Sequence, residues 1–327
     1  MSFDSYLKNN LWPLDSCRFS GYQYSISNSQ GLIESGFGGH LDSAKGSGLV
    51  TPETLFDLAS LTKLFTATLA AVLFAEHEID LDAPIGDWSD IPESLSSLSA
   101  RQLLTHTGGL PPEWEEKHSK EQTVHQLLSL TPEASSLGSI VYSCTGYSLF
   151  AYALESHFEM GLDELMASKV LIPLGLERTS FNPAPENVAM TEKGTPAGKV
   201  HDPRARALEG VSGNAGLFSN SSDVLRFLDA IGHGHAHLDK DARLTLLTPT
   251  EKGEWQQAIG FRFADIQRVG KADRFFSHTG FTGTIALLNP ETGVSGVLLT
   301  NRLSCGTTKQ QMATIYKEFS EHLLDLG

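Results

Sequence analysis

The sequence predicts an α+β fold in which one β-sheet is built from both ends of the chain around a mostly helical insertion. Patterns typical of strands occur in residues 1–50 and return after residue 270, whereas helical periodicity dominates between them. The 327 residues contain no internal repeat, low-complexity tract or obvious linker. We therefore expect a discontinuous α/β sheet lobe of residues 1–60 and 240–327, a mostly helical lobe of residues 61–239, and a cleft between them.

The amino-terminal part of the chain is expected to form strands and turns. Residues 22–27 alternate in places between apolar and polar side chains, and residues 32–39 form a short run that ends in glycine. From about residue 58 to residue 78 the period changes, because apolar residues recur at spacings of three and four. This spacing predicts an amphipathic helix whose apolar face carries Leu61, Leu64, Phe65, Leu69, Val72 and Leu73.

The middle and the end of the chain supply the remaining elements. Short helical patterns, separated by loops rich in proline and glycine, lie at residues 100–106, 123–130, 149–157, 162–170 and 222–231. Strand patterns follow at residues 274–278, 284–289 and 294–301. Because residues 290–293 supply a turn, the last two strands are predicted to form a β-hairpin. A closing helix at residues 307–324 has an apolar face of Met312, Ile315, Tyr316, Phe319 and Leu323.

The composition excludes several classes of protein. With 40% hydrophobic and 19% charged residues, the chain has enough apolar side chains for a core and differs from disordered proteins. Lys and Arg total 24 against 39 Asp and Glu, which gives a formal net charge of −15. Because such an acidic surface repels phosphate groups, neither nucleic acid nor a membrane is expected as a partner.

The cysteines and the amino terminus bear on the cellular compartment. Cys17, Cys144 and Cys305 form no C-x-x-C pair and cannot build a disulfide framework, which fits a reducing environment. The sequence begins without the basic start, apolar run and cleavage site of a secretory signal, and no unbroken apolar run is long enough to span a bilayer. A cytoplasmic protein is expected, with the periplasm as the alternative if a signal peptide has been removed.

Ser60 and Lys63 form the first candidate for chemistry, an S-x-x-K motif at the start of the predicted helix. The spacing places the hydroxyl and the ammonium one turn apart on the same face. A desolvated lysine can activate a serine nucleophile, and the first helical turn favours developing anions. The alternative is a helix cap beside a solvated lysine, and the same spacing occurs by chance at Ser5 and Lys8. The apolar stretch before Ser60 indicates that Ser60 and Lys63 are at least partly buried, and a buried lysine favours a functional role.

Two loops offer further candidates. Tyr142 opens the segment 142–147, after an apolar pair, and a tyrosine there can act as a general acid or base if a cation is near. The alternative is an aromatic side chain that packs in a turn. Residues 277–283 follow a predicted strand and contain two glycines, which let a ligand approach backbone N–H groups that can serve as oxyanion donors. The alternative is an ordinary β-turn.

No cofactor or metal is expected. His233, His235 and His237 recur along a short stretch, but no further clustered ligand completes a tetrahedral set, so a solvated loop is the expected structure. No H-E-x-x-H, G-x-S-x-G, Walker A or Rossmann fingerprint occurs in a suitable context.

In combination, these motifs resemble those of the class C β-lactamase-related serine hydrolases, a family that includes penicillin-binding proteins and esterases. The resemblance is carried by S-x-x-K at 60–63, Y-x-x at 142–144, H-x-G at 278–280, and the stretches 54–57, 104–111 and 213–219. It extends from about Gly36 to the end of the chain. It implies a β-lactamase/transpeptidase-like fold, with an antiparallel sheet flanked by helices and an active site in the cleft between the two lobes.

The resemblance also implies a role for each matching residue. Ser60 would be acylated, and Lys63 and Tyr142 would share the base role, with Tyr142 passing the proton to the leaving group. The backbone N–H groups of Ser60 and Phe281 would form the oxyanion hole. The remaining matches would contact the substrate, with His278 and Asn301 near its anionic group: Cys144, His278, Thr279, Gly280 and Asn301.

Two departures from the family pattern narrow the expected activity. Cys144 stands where an asparagine is usual, and a thiol is a much poorer hydrogen-bond donor. His278 replaces a lysine and so removes a permanent charge near neutral pH. We therefore expect an esterase or D-amino-acid-type peptidase that acts on a small-molecule ester or amide, with weak β-lactamase activity left open. The alternative is a catalytically feeble penicillin-recognising fold used for binding, sensing or assembly. The oligomeric state is left open.

Overall fold

The structure, a computed structural model, describes residues 2–11, 17–44, 46–249 and 257–327. Within these residues the strands form one six-stranded sheet and one three-stranded sheet. The strands, in chain order, are β1 (Gly21–Asn28), β2 (Gly31–Gly39), β3 (Phe56–Asp57), β4 (Ser180–Phe181), β5 (Leu217–Ser219), β6 (Arg262–Arg268), β7 (Lys271–Gly280), β8 (Thr284–Asn289) and β9 (Val294–Thr300).

The six-stranded sheet joins the two ends of the chain, as the sequence predicts. Its order is β2-β1-β9-β8-β7-β6, and every neighbouring pair is antiparallel. Strand β1 pairs with β9 from Tyr22 opposite Thr300 to Ser27 opposite Ser295. The predicted hairpin is confirmed, because β8 pairs directly with β9. The edge strand β6 was not predicted, because Ile266 is the single buried residue in it and its pattern is therefore weak.

The helices are α1 (Phe3–Lys8), α2 (Thr62–His77), α3 (Glu93–Ser96), α4 (Ala100–Leu104), α5 (Lys120–Leu128), α6 (Cys144–Phe158), α7 (Leu162–Met166), α8 (Pro203–Ala207), α9 (Ser221–His233), α10 (Lys240–Leu247) and α11 (Lys309–Leu326). Each predicted helix is present, with shifted ends. The expectation of only strands and turns in residues 1–50 is wrong for α1. Ser2 caps this short helix, and its Phe3 and Leu7 pack into the core that lies beneath the sheet.

Helix α2 is buried on all sides and is not amphipathic. Every residue from Thr62 to Phe74 is buried, including Lys63. By length and composition the segment Ala59–His77 could cross a membrane, but 83% of its apolar window lies inside the fold. A helix that is apolar all round is also the core helix of a globular domain, and α2 occupies that position here.

The large sheet lies between two apolar cores. Val297 and Leu299 of β9 face a core that includes α2, α6 and α9, whereas Val294 and Leu298 face a second core that includes α1 and α11. The alternation follows from the two-residue period of a strand. The helices therefore cover both faces of the sheet, and α2 starts beside the end of β7. The division of the chain into lobes at residues 60 and 240 stays a prediction.

Candidate active site

Ser60 lies at a tight corner between a short strand and the core helix. Strand β3 leads into a single 3₁₀ turn, Ala59–Leu61, which runs directly into α2. Ala59 has φ 46°, a left-handed conformation that a residue with a Cβ rarely adopts and that is common at functional sites. The Asp57 carboxylate holds the corner, since it accepts hydrogen bonds at 2.8 Å from the N–H groups of both Ala59 and His201. Burial raises the pKa of Asp57 to about 6.

Three polar groups converge at this corner. Lys63 Nζ donates a hydrogen bond to Ser60 Oγ at 3.1 Å, and the Tyr142 hydroxyl donates to the same oxygen at 2.9 Å. Lys63 Nζ also donates to Asn214 O at 3.0 Å and lies 3.5 Å from Cys144 Sγ. The structure thus brings together the three residues that the sequence predicts to be catalytic, from a turn, a helix and a distant loop.

The environment of Lys63 favours its ammonium form. Burial lowers the pKa of this side chain, but the neighbouring Cys144 and Tyr142 raise it, and the net direction is above its ordinary value. An ammonium has three donors and no acceptor. In this state Lys63 donates to Ser60 and can stabilise negative charge beside it. Tyr142, which also donates to Ser60 Oγ, can accept a proton from it only after giving up its own.

The end of β7 approaches the Ser60 corner very closely. A Cβ on Gly280 would lie 2.1 Å from Thr284 Oγ1 and 2.5 Å from Leu58 O, so glycine is required by the close packing. The hydroxyl of Thr282 donates to Asp57 O at 2.7 Å, and that of Thr284 donates to Leu58 O at 3.2 Å. These contacts hold the turn that carries Phe281 against the turn that carries Ser60.

His278 lines the cavity, as predicted, and its imidazole carries no charge there. It is 3% exposed, and burial, Lys63 and Arg262 hold its pKa well below its usual value, so the imidazole is neutral. Its Nδ1 lies 3.0 Å from Thr279 O, a carbonyl that can only accept, which places the proton on Nδ1. Its buried Nε2 has no hydrogen-bond partner among the described residues.

Asn301 lies away from the cavity, contrary to its predicted place at the substrate. Its Oδ1 accepts hydrogen bonds from the N–H groups of Ser20 at 3.1 Å and Gly21 at 2.8 Å. Its Nδ2 donates to Ser20 Oγ at 2.7 Å and to Leu41 O at 3.2 Å. Both of its side-chain polar atoms are therefore used in internal hydrogen bonds, three of them to the start of β1, and the residue is 2% exposed.

The cavity beside Ser60 has a volume of about 630 Å³. Cys144, Thr279 and Gly280 line it, as predicted. Arg302 also lines it, and so does Arg262, which was not predicted. The Arg262 guanidinium lies 4.4 Å from the centre of the Tyr142 ring. It is brought there by the pairing of β6 with β7, a tertiary contact for which the sequence carries no motif.

Positive charge is concentrated on one side of this cavity. Arg302 and Lys309 both lie 4.7 Å from the centre of the Phe281 ring, which is 40% exposed. In the part of the chain that the structure describes, no carboxylate pairs with Arg262, Arg302 or Lys309, and no cluster of three metal-ligating side chains occurs. Glu113 and Asp202 also line the cavity, but four cations line it as well: Arg204, Arg262, Arg302 and Lys309. The local charge is thus positive in a chain whose net charge is −15.

Comparison with known proteins places this geometry in a family. A relative in Escherichia coli O157:H7, provisionally named D-alanyl-D-alanine carboxypeptidase, is 29% identical over 304 residues, covering 77% of this chain and 70% of the relative. A solved class C β-lactamase superposes with a TM-score of 0.78 at 18% sequence identity. EstCE1, described as a hydrolase with promiscuous acyltransferase activity, superposes with a TM-score of 0.76 at 19% identity. Each alignment covers 98% of this chain and 96% of the other chain.

These neighbours establish the β-lactamase/transpeptidase-like fold, which agrees with the antiparallel sheet and its flanking helices. The family model described as Beta-lactamase matches residues 8–318, which is nearly the whole chain. The match includes the Ser60 corner, Tyr142 and the end of β7. With both sequence and fold in agreement over this length, the chain belongs to the β-lactamase family.

Proposed function

We propose that the protein is a serine hydrolase that forms an acyl-enzyme on Ser60 from a small ester or amide. The observation that carries this proposal is the position of Ser60 Oγ, 3.1 Å from Lys63 Nζ and 2.9 Å from the Tyr142 oxygen, at the wall of a cavity of about 630 Å³. A serine hydroxyl needs a base within hydrogen-bond distance to become a nucleophile. The Tyr142 oxygen lies within that distance, and the Lys63 ammonium contacts the same Ser60 Oγ.

The proposed reaction starts from the form in which Tyr142 has given up its own hydroxyl proton to solvent. Ser60 Oγ then attacks the carbonyl carbon while its proton moves to the Tyr142 phenolate oxygen. The Lys63 ammonium stabilises the negative charge on the oxygens that exchange this proton. Tyr142 then gives the proton to the departing oxygen or nitrogen as the bond to the carbonyl carbon breaks. Water attacks the Ser60 ester in the second half, with Tyr142 as base, and the acid is released.

The oxyanion that forms during attack needs N–H donors at the same corner. We assign this role to the backbone N–H groups of Ser60 and Phe281. Support comes from the close approach of Gly280 to Leu58, and from the hydroxyls of Thr282 and Thr284 that fix the two turns against each other. Backbone donors held rigidly in this way need no reorganisation when charge develops.

The substrate class that we propose is an ester or a D-amino-acid-type amide, with β-lactams turned over weakly at most. Cys144 occupies the position beside Lys63, and its thiol donates hydrogen bonds poorly to a substrate amide. Arg262, Arg302 and Lys309 favour a substrate with an acidic group. The names of the compared proteins, a carboxypeptidase and a hydrolase with acyltransferase activity, fit this class.

Turnover of a small substrate panel tests the proposal. Short-chain p-nitrophenyl esters, D-Ala-D-Ala peptides and nitrocefin would be assayed with the wild type, with Ser60→Ala, and with Ser5→Ala as a control. The control removes the serine of the other S-x-x-K spacing, which lies in α1 and outside the cavity. We expect ester or peptide hydrolysis that is lost only in Ser60→Ala. A folded wild type that is inactive on the whole panel would favour the alternative of a binding or sensing protein.

A further inference from the structure

We propose that His106 is a positioning residue that holds Tyr142 against Ser60 by accepting a hydrogen bond from the backbone N–H of Ser143. The inference rests on the proposed role of Tyr142. His106 belongs to the stretch 104–111, which contributes to the family resemblance but has no role assigned to its residues.

Tyr142 lies in a segment without regular secondary structure, so its backbone position must be fixed by other contacts. The segment 104–112 supplies them. The N–H of Gly138 donates to Thr107 O at 2.9 Å, and that of Cys144 donates to Pro112 O at 2.8 Å. The Tyr147 hydroxyl donates to Leu104 O at 2.8 Å. Residues 104–112 therefore act as a scaffold, and hydrogen bonds to this scaffold fix the segment that contains Tyr142.

His106 makes two of the scaffold contacts that flank Tyr142; the Ser143 hydroxyl makes another, to Pro111 O at 2.9 Å. Its backbone O accepts a hydrogen bond from the N–H of Val141 at 2.9 Å, and its Nδ1 accepts one from the N–H of Ser143 at 3.1 Å. Its ring centre lies 4.6 Å from that of Tyr142. One residue thus fixes the chain on both sides of the tyrosine and contacts its ring as well.

The Nδ1 contact requires a neutral imidazole. A backbone N–H can only donate, so Nδ1 must carry a lone pair and the proton must be on Nε2. His106 is 3% exposed, and burial, Lys63, Arg262 and His278 hold its pKa well below the usual value. Its surroundings therefore keep the acceptor available near neutral pH.

The backbone at His106 restricts which residues can replace it. Its φ is 62°, in the left-handed region, where asparagine is the best tolerated side chain after glycine. The Oδ1 atom of asparagine can also occupy a position close to that of Nδ1 and accept the same hydrogen bond. His106→Asn is thus the conservative variant, and His106→Leu has similar bulk without the acceptor.

The first experiment compares the turnover of these two variants on the best ester of the panel. A displacement of about 1 Å of a catalytic group can cost about 100-fold in rate. We expect His106→Leu to lose at least about 10-fold in kcat with little change in KM, and His106→Asn to stay within about 3-fold of the wild type. Ser99→Ala is the control for lost stability, since it removes the cap of α4 without touching Tyr142.

The double variant separates positioning from a merely structural role. If His106 acts through Tyr142, His106→Leu should add no further loss in a Tyr142→Phe background. Equal kcat in His106→Leu and wild type, or a loss that is additive in the double variant, overturns the inference.

Hydrogen–deuterium exchange gives a second readout that needs no activity. The Ser143 amide should exchange at least about 10-fold faster in His106→Leu and remain protected in His106→Asn. Unchanged protection in His106→Leu overturns the inference even if the protein turns out to be a hydrolase. An inactive wild type overturns the proposed function instead, and the exchange rates still decide whether His106 holds the Tyr142 segment.

Discussion

The two walls of the cavity differ in how they carry charge. On the helical wall, Ser60, Tyr142 and Cys144 line the cavity, and Lys63 lies fully buried in contact with them; its ammonium contacts Ser60, Asn214 and Cys144. On the sheet wall, formed by Arg262, His278, Phe281, Arg302 and Lys309, three cations lie over aromatic rings, and none has a carboxylate partner among the described residues. The cation of the helical wall is thus held by internal contacts, whereas the cations of the sheet wall are not neutralised by a carboxylate of the described residues.

The largest effect is expected on the helical wall, from Tyr142→Phe. The substitution removes the hydroxyl that lies 2.9 Å from Ser60 Oγ and leaves the ring in place. Loss of a general acid–base group costs about 100-fold or more, so we expect acyl transfer to slow by at least that factor. Single-turnover kinetics with a p-nitrophenyl ester measures it. Turnover near that of the wild type would reject the role of Tyr142 and remove the distinction between the two walls.

A smaller and more selective effect is expected on the sheet wall, from Arg262→Gln. Because His278 is neutral, Arg262 is the cation closest to Tyr142 on this wall that can attract an acidic substrate group. We expect kcat/KM to fall about 10-fold for a substrate with a carboxylate, about 1.4 kcal/mol, and less for a neutral ester. Arg268→Gln is the matched control, since it lies on the same strand and pairs with Asp325 outside the cavity. An equal loss for both substrates would contradict the selectivity.

The smallest effect on activity is expected from Asn301→Ala, which tests the corrected role of this residue. The change leaves the buried N–H groups of Ser20 and Gly21 without their acceptor. Such losses cost about 1–3 kcal/mol each, so the free energy of unfolding should fall by about 2 kcal/mol or more. Activity of the folded variant should stay within about 3-fold. If stability is unchanged and activity falls only on carboxylate substrates, the original prediction that Asn301 contacts the substrate would be supported instead.

The sequence was sufficient for the Ser60–Lys63 pair because its geometry depends on short-range spacing. The three-residue separation brings their polar atoms together at the start of a helix, whereas the role of Tyr142, 82 residues from Ser60, followed from the family resemblance. The hairpin of β8 and β9 was equally predictable, since a turn of glycine and proline joins two apolar runs. Local patterns with local consequences carried both predictions.

The remaining features depend on contacts that are distant in the sequence. Arg262 reaches Tyr142 only because β6 pairs with β7, and β6 is an exposed edge strand without a strong pattern. The neutral state of His278 follows from burial beside two cations, neither of which is near it in the sequence. Helix α1 has six residues, too few for periodicity to reveal it.

The acyl-enzyme on Ser60 is the central claim, and intact-protein mass spectrometry after treatment with a fluorophosphonate tests it most directly. The proposed site predicts one adduct per chain, located on the peptide that contains Ser60, retained in Ser5→Ala and absent from Ser60→Ala. A folded wild type that forms no adduct, or an adduct that survives Ser60→Ala, would contradict the claim.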